Sequence, residues 1–226
     1  MSTARRDALL ALREGWPVLI TPFLIGVPFG VLAREAGLDP VQTAGMSLIV
    51  FAGAAQFASL ELFRSGAAPV VIVVTALLIN LRHLLMAAAL RPHFADRPLA
   101  QRLGLAYVLT DEAFAMGASW YRRGGRGVAY YAAFGVALWA CWNTGTIVGA
   151  IAGPAMPDPR AFGIDFAITA VFIAIVVIGI RERREVAVAL GAAALAGLLR
   201  GAGLAVVAVV LAGALAPLIA RIDRRA

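Results

Sequence analysis

The stretch "GWPVLITPFLIGVPFGVLA", residues 15–33, contains 19 residues without one charged side chain. Charge-free apolar runs of about 18 or more residues are typical of helices that cross a membrane. Similar runs follow at residues 40–60, 127–153 and 201–220. The sequence therefore predicts an all-α fold, namely a polytopic helical membrane protein.

The composition of the 226-residue chain supports this prediction, since 62% of the residues are hydrophobic and the mean hydropathy is +0.86. A soluble domain usually contains roughly 45–50% apolar residues. All 20 basic residues are arginine, and they lie mainly in short connectors, where membrane topology explains them better than nucleic-acid binding. The single cysteine, Cys141, lies in an apolar run without the neighbours of a metal site, so no metal or cofactor is predicted.

The apolar pattern predicts about seven membrane-spanning helices, within a range of six to eight. Residues 103–121 are long enough to cross, but Asp111 and Glu112 lie at their centre. If this segment crosses and the N-terminus is cytoplasmic, 13 of the 19 arginines outside "NLRHLL" lie inside. The count is the same if it does not cross and the N-terminus is external, so the arginines do not distinguish the two topologies. The predicted helices are 15–33, 40–63, 67–90, 128–153, 161–180, 186–199 and 201–220.

The chain is predicted to form one membrane transport domain, residues 1–226, with two repeat halves at 15–120 and 128–220. A shift of 119 residues aligns Gly26 with Gly145 and Gly30 with Gly149. It also aligns two Asp-Pro pairs, at 39–40 and 158–159. With seven crossings the halves would enter the membrane in opposite directions, as in the inverted repeats of many secondary transporters.

Four polar clusters interrupt the apolar segments, and such groups are functional candidates because they are costly at membrane depth. In "GVPFG" (26–30), Pro28 and the glycines predict either a break with free backbone amides or a kink packed on a neighbour. In "FAGAAQF" (51–57), Gln56 either contacts a substrate or bonds a neighbouring helix. Phe51 and Phe57 could line an apolar pocket, although core packing is the safer interpretation.

The other two clusters carry the charges. In "INLRHLLMAAAL" (79–90), Asn80 and His83 share a helix face. Arg82 points elsewhere, toward a carboxylate on another helix or toward the interface, and His83 is either a proton carrier or a satisfied core residue. In "TDEAFA" (110–115), Asp111 or Glu112 could pair with Arg82 or His83 while the other binds an ammonium or exchanges a proton. At the interface, both would simply be hydrated.

These clusters resemble the AzlC family in the stretches "GVPFGVLAREAGL", "MSLIVFAGAAQFASLELF", "LLINLRHLLMAAAL" and "LTDEAFA". The resemblance implies a secondary exporter of branched-chain amino acids and methionine in the bacterial cytoplasmic membrane. It also implies a small AzlD-type membrane subunit as partner. Export against a gradient requires coupling, most simply to proton entry.

Under this hypothesis a zwitterionic substrate needs an anion site, a cation site and an apolar pocket. Arg82 or amides freed near Pro28 would bind the carboxylate, and Asp111, Glu112, Gln56 or Asn80 the ammonium. The alternatives are a non-transporting assembly subunit and an intramembrane enzyme, although neither G-x-S-x-G nor H-E-x-x-H occurs. The candidate substrate-binding residues are Pro28, Gly30, Phe51, Gln56, Phe57, Asn80, Arg82 and Met86. The candidate proton-coupling residues are His83, Asp111 and Glu112.

Overall fold

The computed structural model describes residues 2–155 and four isolated residues, 186, 190, 191 and 194. This part of the chain is all-helical, without a β-strand, which confirms the predicted fold class. The predicted helices 161–180, 186–199 and 201–220 lie outside the described residues, apart from the four isolated positions. The helices are α1 Thr3–Glu35, α2 Pro40–Val50, α3 Gly53–Arg64, α4 Pro69–Phe94, α5 Leu99–Tyr107, α6 Asp111–Arg122 and α7 Ala129–Ala152, followed by a 3₁₀ turn, Gly153–Ala155.

Three of these helices, α1, α4 and α7, are long and apolar enough to cross a membrane. They contain 33, 26 and 24 residues. At about 1.5 Å per residue each exceeds the roughly 30 Å of a bilayer core. The sequence predictions at 15–33, 67–90 and 128–153 are therefore confirmed as helices that can span.

The helices α1 and α7 form the central packed pair and run in the same direction. Gly15 lies against Phe134, and Val31 lies against Gly153. Between these ends, the backbone of α7 lies so close to Gly26 that a Cβ atom there would be 2.7 Å from the Trp142 carbonyl oxygen. Small residues let helix backbones approach in this way. The glycines therefore serve close helix packing, the second of the two readings offered for "GVPFG".

The parallel course of α1 and α7 bears on the proposed repeat. Gly26 packs on Gly145 and Gly30 on Gly149, so the positions aligned by the 119-residue shift contact each other. An inverted repeat requires aligned helices to run in opposite directions. The helices α1 and α7 run in the same direction, whereas seven crossings would give two halves that enter the membrane in opposite directions. Most of the second half lies outside the described residues.

Residues 40–63, predicted as one spanning helix, instead form a re-entrant hairpin of α2 and α3. Phe51 adopts a left-handed conformation (φ 35°, ψ 52°), which ends α2 and turns the chain before Gly53 starts α3. Gln42 near the start of α2 and Phe63 near the end of α3 line one cavity of about 310 Å³, so the two arms return to the same face. The prediction was wrong because composition alone does not distinguish one crossing from two half-crossings.

The arms α5 and α6 form a second re-entrant hairpin, entering from the other face. The His93 ring at the end of α4 stacks on Tyr121 near the end of α6, with centroids 3.7 Å apart. Arg123, directly after α6, binds Glu14 in the first half of α1. The chain therefore enters α5 and leaves α6 at the face where α1 and α7 begin, and the ambiguous segment 103–121 is a hairpin with its turn at residues 108–110.

The arginines of residues 2–155 now favour one orientation. Nine of the eleven outside α4's centre lie at the face where α1 begins, which we call the N-terminal face. Applied to the described residues, the positive-inside rule predicts that this face is cytoplasmic. The hairpin α5–α6 then enters from the cytoplasm and α2–α3 from the opposite side. The nine are Arg5, Arg6, Arg13, Arg91, Arg97, Arg102, Arg122, Arg123 and Arg126, and the two at the opposite face are Arg34 and Arg64.

Candidate functional site

The turns of the two hairpins meet in the middle of the molecule. The hydroxyl of Tyr107, at the end of α5, donates to the Leu48 carbonyl oxygen near the end of α2. It accepts a hydrogen bond from the Trp139 indole nitrogen at 2.9 Å. The rings of Tyr107 and Phe51 lie 6.3 Å apart. The turns of two helical hairpins thus contact each other through Tyr107, and interrupted helices of this kind form the binding sites of many secondary transporters.

Gln56 lies in the first turn of α3, at the α2–α3 turn, and is 0% exposed. Its Oε1 accepts a hydrogen bond from the Ala52 backbone N–H at 3.3 Å. Its Nε2 atom is buried and has no hydrogen-bond partner among the described residues. The side chain is therefore only half satisfied, and no bond from it to another helix is observed in this part of the chain.

Arg82 and Asp111 form an ion pair between α4 and the start of α6, with Arg82 Nη2 3.0 Å from Asp111 Oδ2. Their side chains are 35% and 53% exposed. Arg82 is near the middle of Pro69–Phe94 rather than near an end, so snorkelling does not describe it. The prediction that a carboxylate of "TDEAFA" pairs with Arg82 is confirmed.

The neighbours of this ion pair have different roles. The His83 ring nitrogen Nδ1 lies 3.1 Å from the Asn80 carbonyl oxygen of its own helix, a local contact consistent with the satisfied-histidine alternative. The Oδ1 atom of Asn80 and the Nε atom of Arg82 are buried without partners in the described part. Glu112 is exposed at the start of α6. One acceptor and one donor next to the ion pair, on Asn80 and Arg82, could therefore still form hydrogen bonds with a ligand.

The structure does not bring every predicted residue to the hairpin turns. Pro28 lies in the uninterrupted helix α1, so the predicted free amides are absent there, because transmembrane helices tolerate proline when neighbours re-satisfy the backbone. Gly30 packs on α7. Phe57 is buried against Phe29, with ring centroids 5.4 Å apart, as core packing predicts. Met86 is also buried in the core.

Three residues near the turns were missed by sequence reasoning. Tyr107 bridges the two turns, and Ser47 bonds Thr146 of α7 at 3.1 Å within the buried core. Trp142 packs against Gly53 at the start of α3, and its indole nitrogen has no partner within the described part. Serine is frequent where membrane helices pack, and tyrosine and tryptophan are largely apolar, so none of the three stands out in the sequence. Asn143 of α7 is also buried, and its Oδ1 atom has no hydrogen-bond partner within the described part of the chain.

A second ion pair closes the N-terminal face and lies away from the turns. Arg123 Nη2 is 2.8 Å from Glu14 Oε2, and the Tyr130 hydroxyl donates to the same oxygen at 2.7 Å. The carboxylate raises the pKa of the Arg123 guanidinium above its usual value, chiefly through this hydrogen-bonded contact. The pair fastens the α6–α7 connection to α1.

No group of three or more His, Cys, Asp or Glu side chains suited to a metal ion occurs among the residues the structure describes. The site is instead built from amides, one ion pair and interrupted helices.

Comparison with known proteins gives the wider relationship. The AzlC protein family matches residues 17–156, more than half of the chain and all of both hairpins. The chain belongs to the AzlC family. This AzlC-family protein is accordingly an integral membrane protein, and no solved structure matches it.

Three relatives illustrate the range of the family. The inner membrane protein YgaZ of Escherichia coli (strain K12) is 27% identical over 219 residues, covering 92% of this chain and 88% of YgaZ. An uncharacterized membrane protein of Helicobacter pylori (strain J99) is 30% identical over 173 residues, covering 74% of this chain and 75% of that protein. The branched-chain amino acid transport protein AzlC of Bacillus subtilis (strain 168) is 23% identical over 176 residues, covering 76% and 68%.

Proposed function

We propose that this protein is a secondary transporter that exports branched-chain amino acids, and methionine, from the cytoplasm. The observation that carries the proposal is the meeting of two interrupted helical hairpins, entered from opposite faces, through Tyr107 and Leu48. Secondary transporters commonly bind solutes where helices are interrupted at mid-membrane, and opposed gates allow alternating access. The name of the Bacillus subtilis relative supports the substrate class.

The chemistry of the turns suits a zwitterion. Helix N-termini carry partial positive charge and C-termini partial negative charge. The C-terminus of α2 and the N-terminus of α3 are separated only by Phe51 and Ala52. Because these two helix ends are adjacent in the chain, one turn offers partial charges of both signs to a zwitterionic amino acid. Buried apolar side chains such as Phe51 are available beside it for an aliphatic substrate.

Proton coupling is the second part of the proposal. Asp111 pairs with Arg82 but remains about half exposed, and Glu112 lies beside it at the start of α6. A carboxylate that exchanges a proton would release or restrain Arg82 and thereby change the position of α6. His83 is a further titratable group on α4, three residues from Asn80.

A small membrane subunit is the third part of the proposal, and it rests on the family resemblance. The long side of α4 offers a surface for it, since Val73, Leu77 and Leu84 are exposed there.

The test is export of leucine, isoleucine, valine and methionine from cells, with this gene and the small-subunit gene each present or absent. We expect export only with both genes, and its collapse in Arg82→Ala. Arg64→Ala is the matched control, because Arg64 lies exposed at the end of α3, away from the turns.

Counterflow distinguishes a carrier from a channel. External unlabelled leucine should accelerate efflux of labelled leucine through a carrier. Normal membrane levels of the protein without export of any of the four amino acids would contradict the proposed substrate class. Export that survives every substitution at the turns would indicate that this chain only assembles the complex.

A further inference from the structure

We infer that the N-terminus of α3, together with the carboxamide of Gln56, is the subsite that binds the carboxylate of the transported amino acid. The inference rests on the proposed function and deepens it. It also departs from the sequence-based expectation, which assigned the carboxylate to Arg82 or to amides near Pro28, and placed Gln56 with the ammonium.

The backbone supplies the first half of the subsite. The first N–H groups of a helix have no partner within the helix and point along its axis. The residue that precedes α3, Ala52, has no side chain that could cap them, and the first turn contains no acidic residue. Such an end attracts an anion through both its donors and the helix dipole.

Gln56 supplies the second half. Because its Oε1 accepts from the Ala52 N–H, the carboxamide folds back to the beginning of α3. The acceptor end is thereby occupied, and the Nε2 donors have no partner among residues 2–155, although the residue is 0% exposed there. An unsatisfied buried donor is destabilising. A carboxylate at this end would accept from Nε2 and from the α3 amides together.

The other positive groups at the turns are already neutralised. The Arg82 guanidinium is 3.0 Å from Asp111. The N-terminus of α6 is capped by Thr110 and contains Asp111 and Glu112 in its first turn. Among the described residues at the two turns, the start of α3 is therefore the place where positive potential and free donors coincide.

The burial of Gln56 also indicates when the subsite fills. A substrate reaches it only after the α2–α3 turn has moved. The turn contains Phe51 in a left-handed conformation, followed by Ala52 and Gly53. This short irregular segment can change its backbone angles without disturbing either arm, and hinge residues of gating hairpins are commonly of this kind.

The experiment compares leucine with leucinamide, which has a neutral amide in place of the carboxylate. Purified full-length protein, co-expressed with the small-subunit gene, is tested for ligand-induced increases in melting temperature and for counterflow. Wild type should prefer leucine by about tenfold or more, since hydrogen bonds to a charged group are the strong ones. Gln56→Met, similar in size but without donors, should lose most of this preference.

Gln56→Glu should reverse the preference, because its carboxylate repels leucine and accepts from the amide of leucinamide. Gln42→Glu is the matched control, as Gln42 caps the exposed start of α2 and should keep the wild-type preference. Since melting reports binding, variants that no longer transport can still be measured.

Two results separate the possible failures. Wild-type protein that neither transports leucine nor is stabilised by it overturns the proposed function, and the inference with it. Wild-type protein that handles leucine but does not distinguish leucinamide, or Gln56 variants that keep the wild-type preference, overturn the inference alone.

Discussion

The two re-entrant hairpins share a design but treat the N-terminus of their second arm in opposite ways. At the start of α6, Thr110 accepts from the Ala113 N–H, and Asp111 and Glu112 occupy the first turn. At the start of α3 there is neither a side-chain cap nor an acid, and the nearest polar group is the half-satisfied Gln56. One helix end brings its own negative charge, whereas the other lacks it.

This difference teaches how a single fold separates two tasks. At the start of α6, the carboxylates balance the partial positive charge of the helix end, and Asp111 also forms the ion pair with Arg82. A helix end without them remains available to a negatively charged ligand. The following predictions test this contrast, starting with the frame on which both hairpins depend.

The largest effect is expected for Gly149→Ala. A Cβ atom at Gly149 would collide with the Val27 carbonyl oxygen in the α1–α7 seam, and backbone atoms cannot move aside. Overpacking usually costs about 1–3 kcal/mol and more where backbone must shift. We expect a poor yield of monodisperse protein in size-exclusion chromatography and a strongly lowered melting temperature when samples are heated before the column. Gly45→Ala is the control, since a Cβ atom there meets no atom of the described residues within 4 Å.

Breaking the ion pair should have the next largest effect. Arg82→Ala and Asp111→Ala each leave one charge uncompensated at mid-membrane depth, so export should fall by about tenfold or more. The double variant should be no worse than either single one. Because both side chains are partly exposed, we expect a coupling of about 1 kcal/mol in a double-mutant cycle of melting. Additive losses would contradict the pairing.

Exchanging the caps would sharpen the contrast directly. Thr110→Ala should lower stability by about 1 kcal/mol through loss of the α6 cap. Ala52→Ser offers α3 a cap of similar strength, so it should raise the melting temperature while weakening leucine binding. Both quantities come from melting curves with and without leucine. Stronger leucine binding in Ala52→Ser would argue against a ligand at these amides.

The smallest effect is expected at the N-terminal face. Arg123→Gln removes the bidentate contact to Glu14, but this pair is exposed and contributes about 0–1 kcal/mol. We expect a slight decrease in melting temperature that disappears in high salt. Export should be unchanged, because the pair lies away from both turns. A large loss of export here would indicate that α6 moves as a gate.

Sequence reasoning found the long helices because hydropathy is a local property that a run such as 15–33 displays by itself. It failed at 40–63, since an apolar run looks the same whether it crosses once or turns back at Phe51. The turn depends on packing against α7, for example through the hydrogen bond between Ser47 and Thr146. This contact joins residues 99 positions apart in the sequence. Direction and re-entry are therefore tertiary properties.

The same distinction between local and tertiary properties applies to the residues of the candidate site. Gln56, Arg82 and Asp111 were found because polar groups in apolar helices are conspicuous. Pro28 was misassigned because proline was expected to interrupt the helix, and α1 continues through it. Tyr107 was overlooked, since its importance depends on facing Leu48 of the other hairpin.

The separation between the α2–α3 hairpin and its seat on α7 has a consequence for biogenesis. Neither arm is long enough to insert as an independent transmembrane segment, as α2 has 11 residues and α3 has 12. The surface of α7 on which α2 packs is synthesised about a hundred residues later, whereas α4, on which α3 packs, follows directly. At roughly 5–20 residues per second, the interval is on the order of 5–20 s. During that time α3 can already pack on α4, whereas α2 reaches its full packing only once α7 has been made.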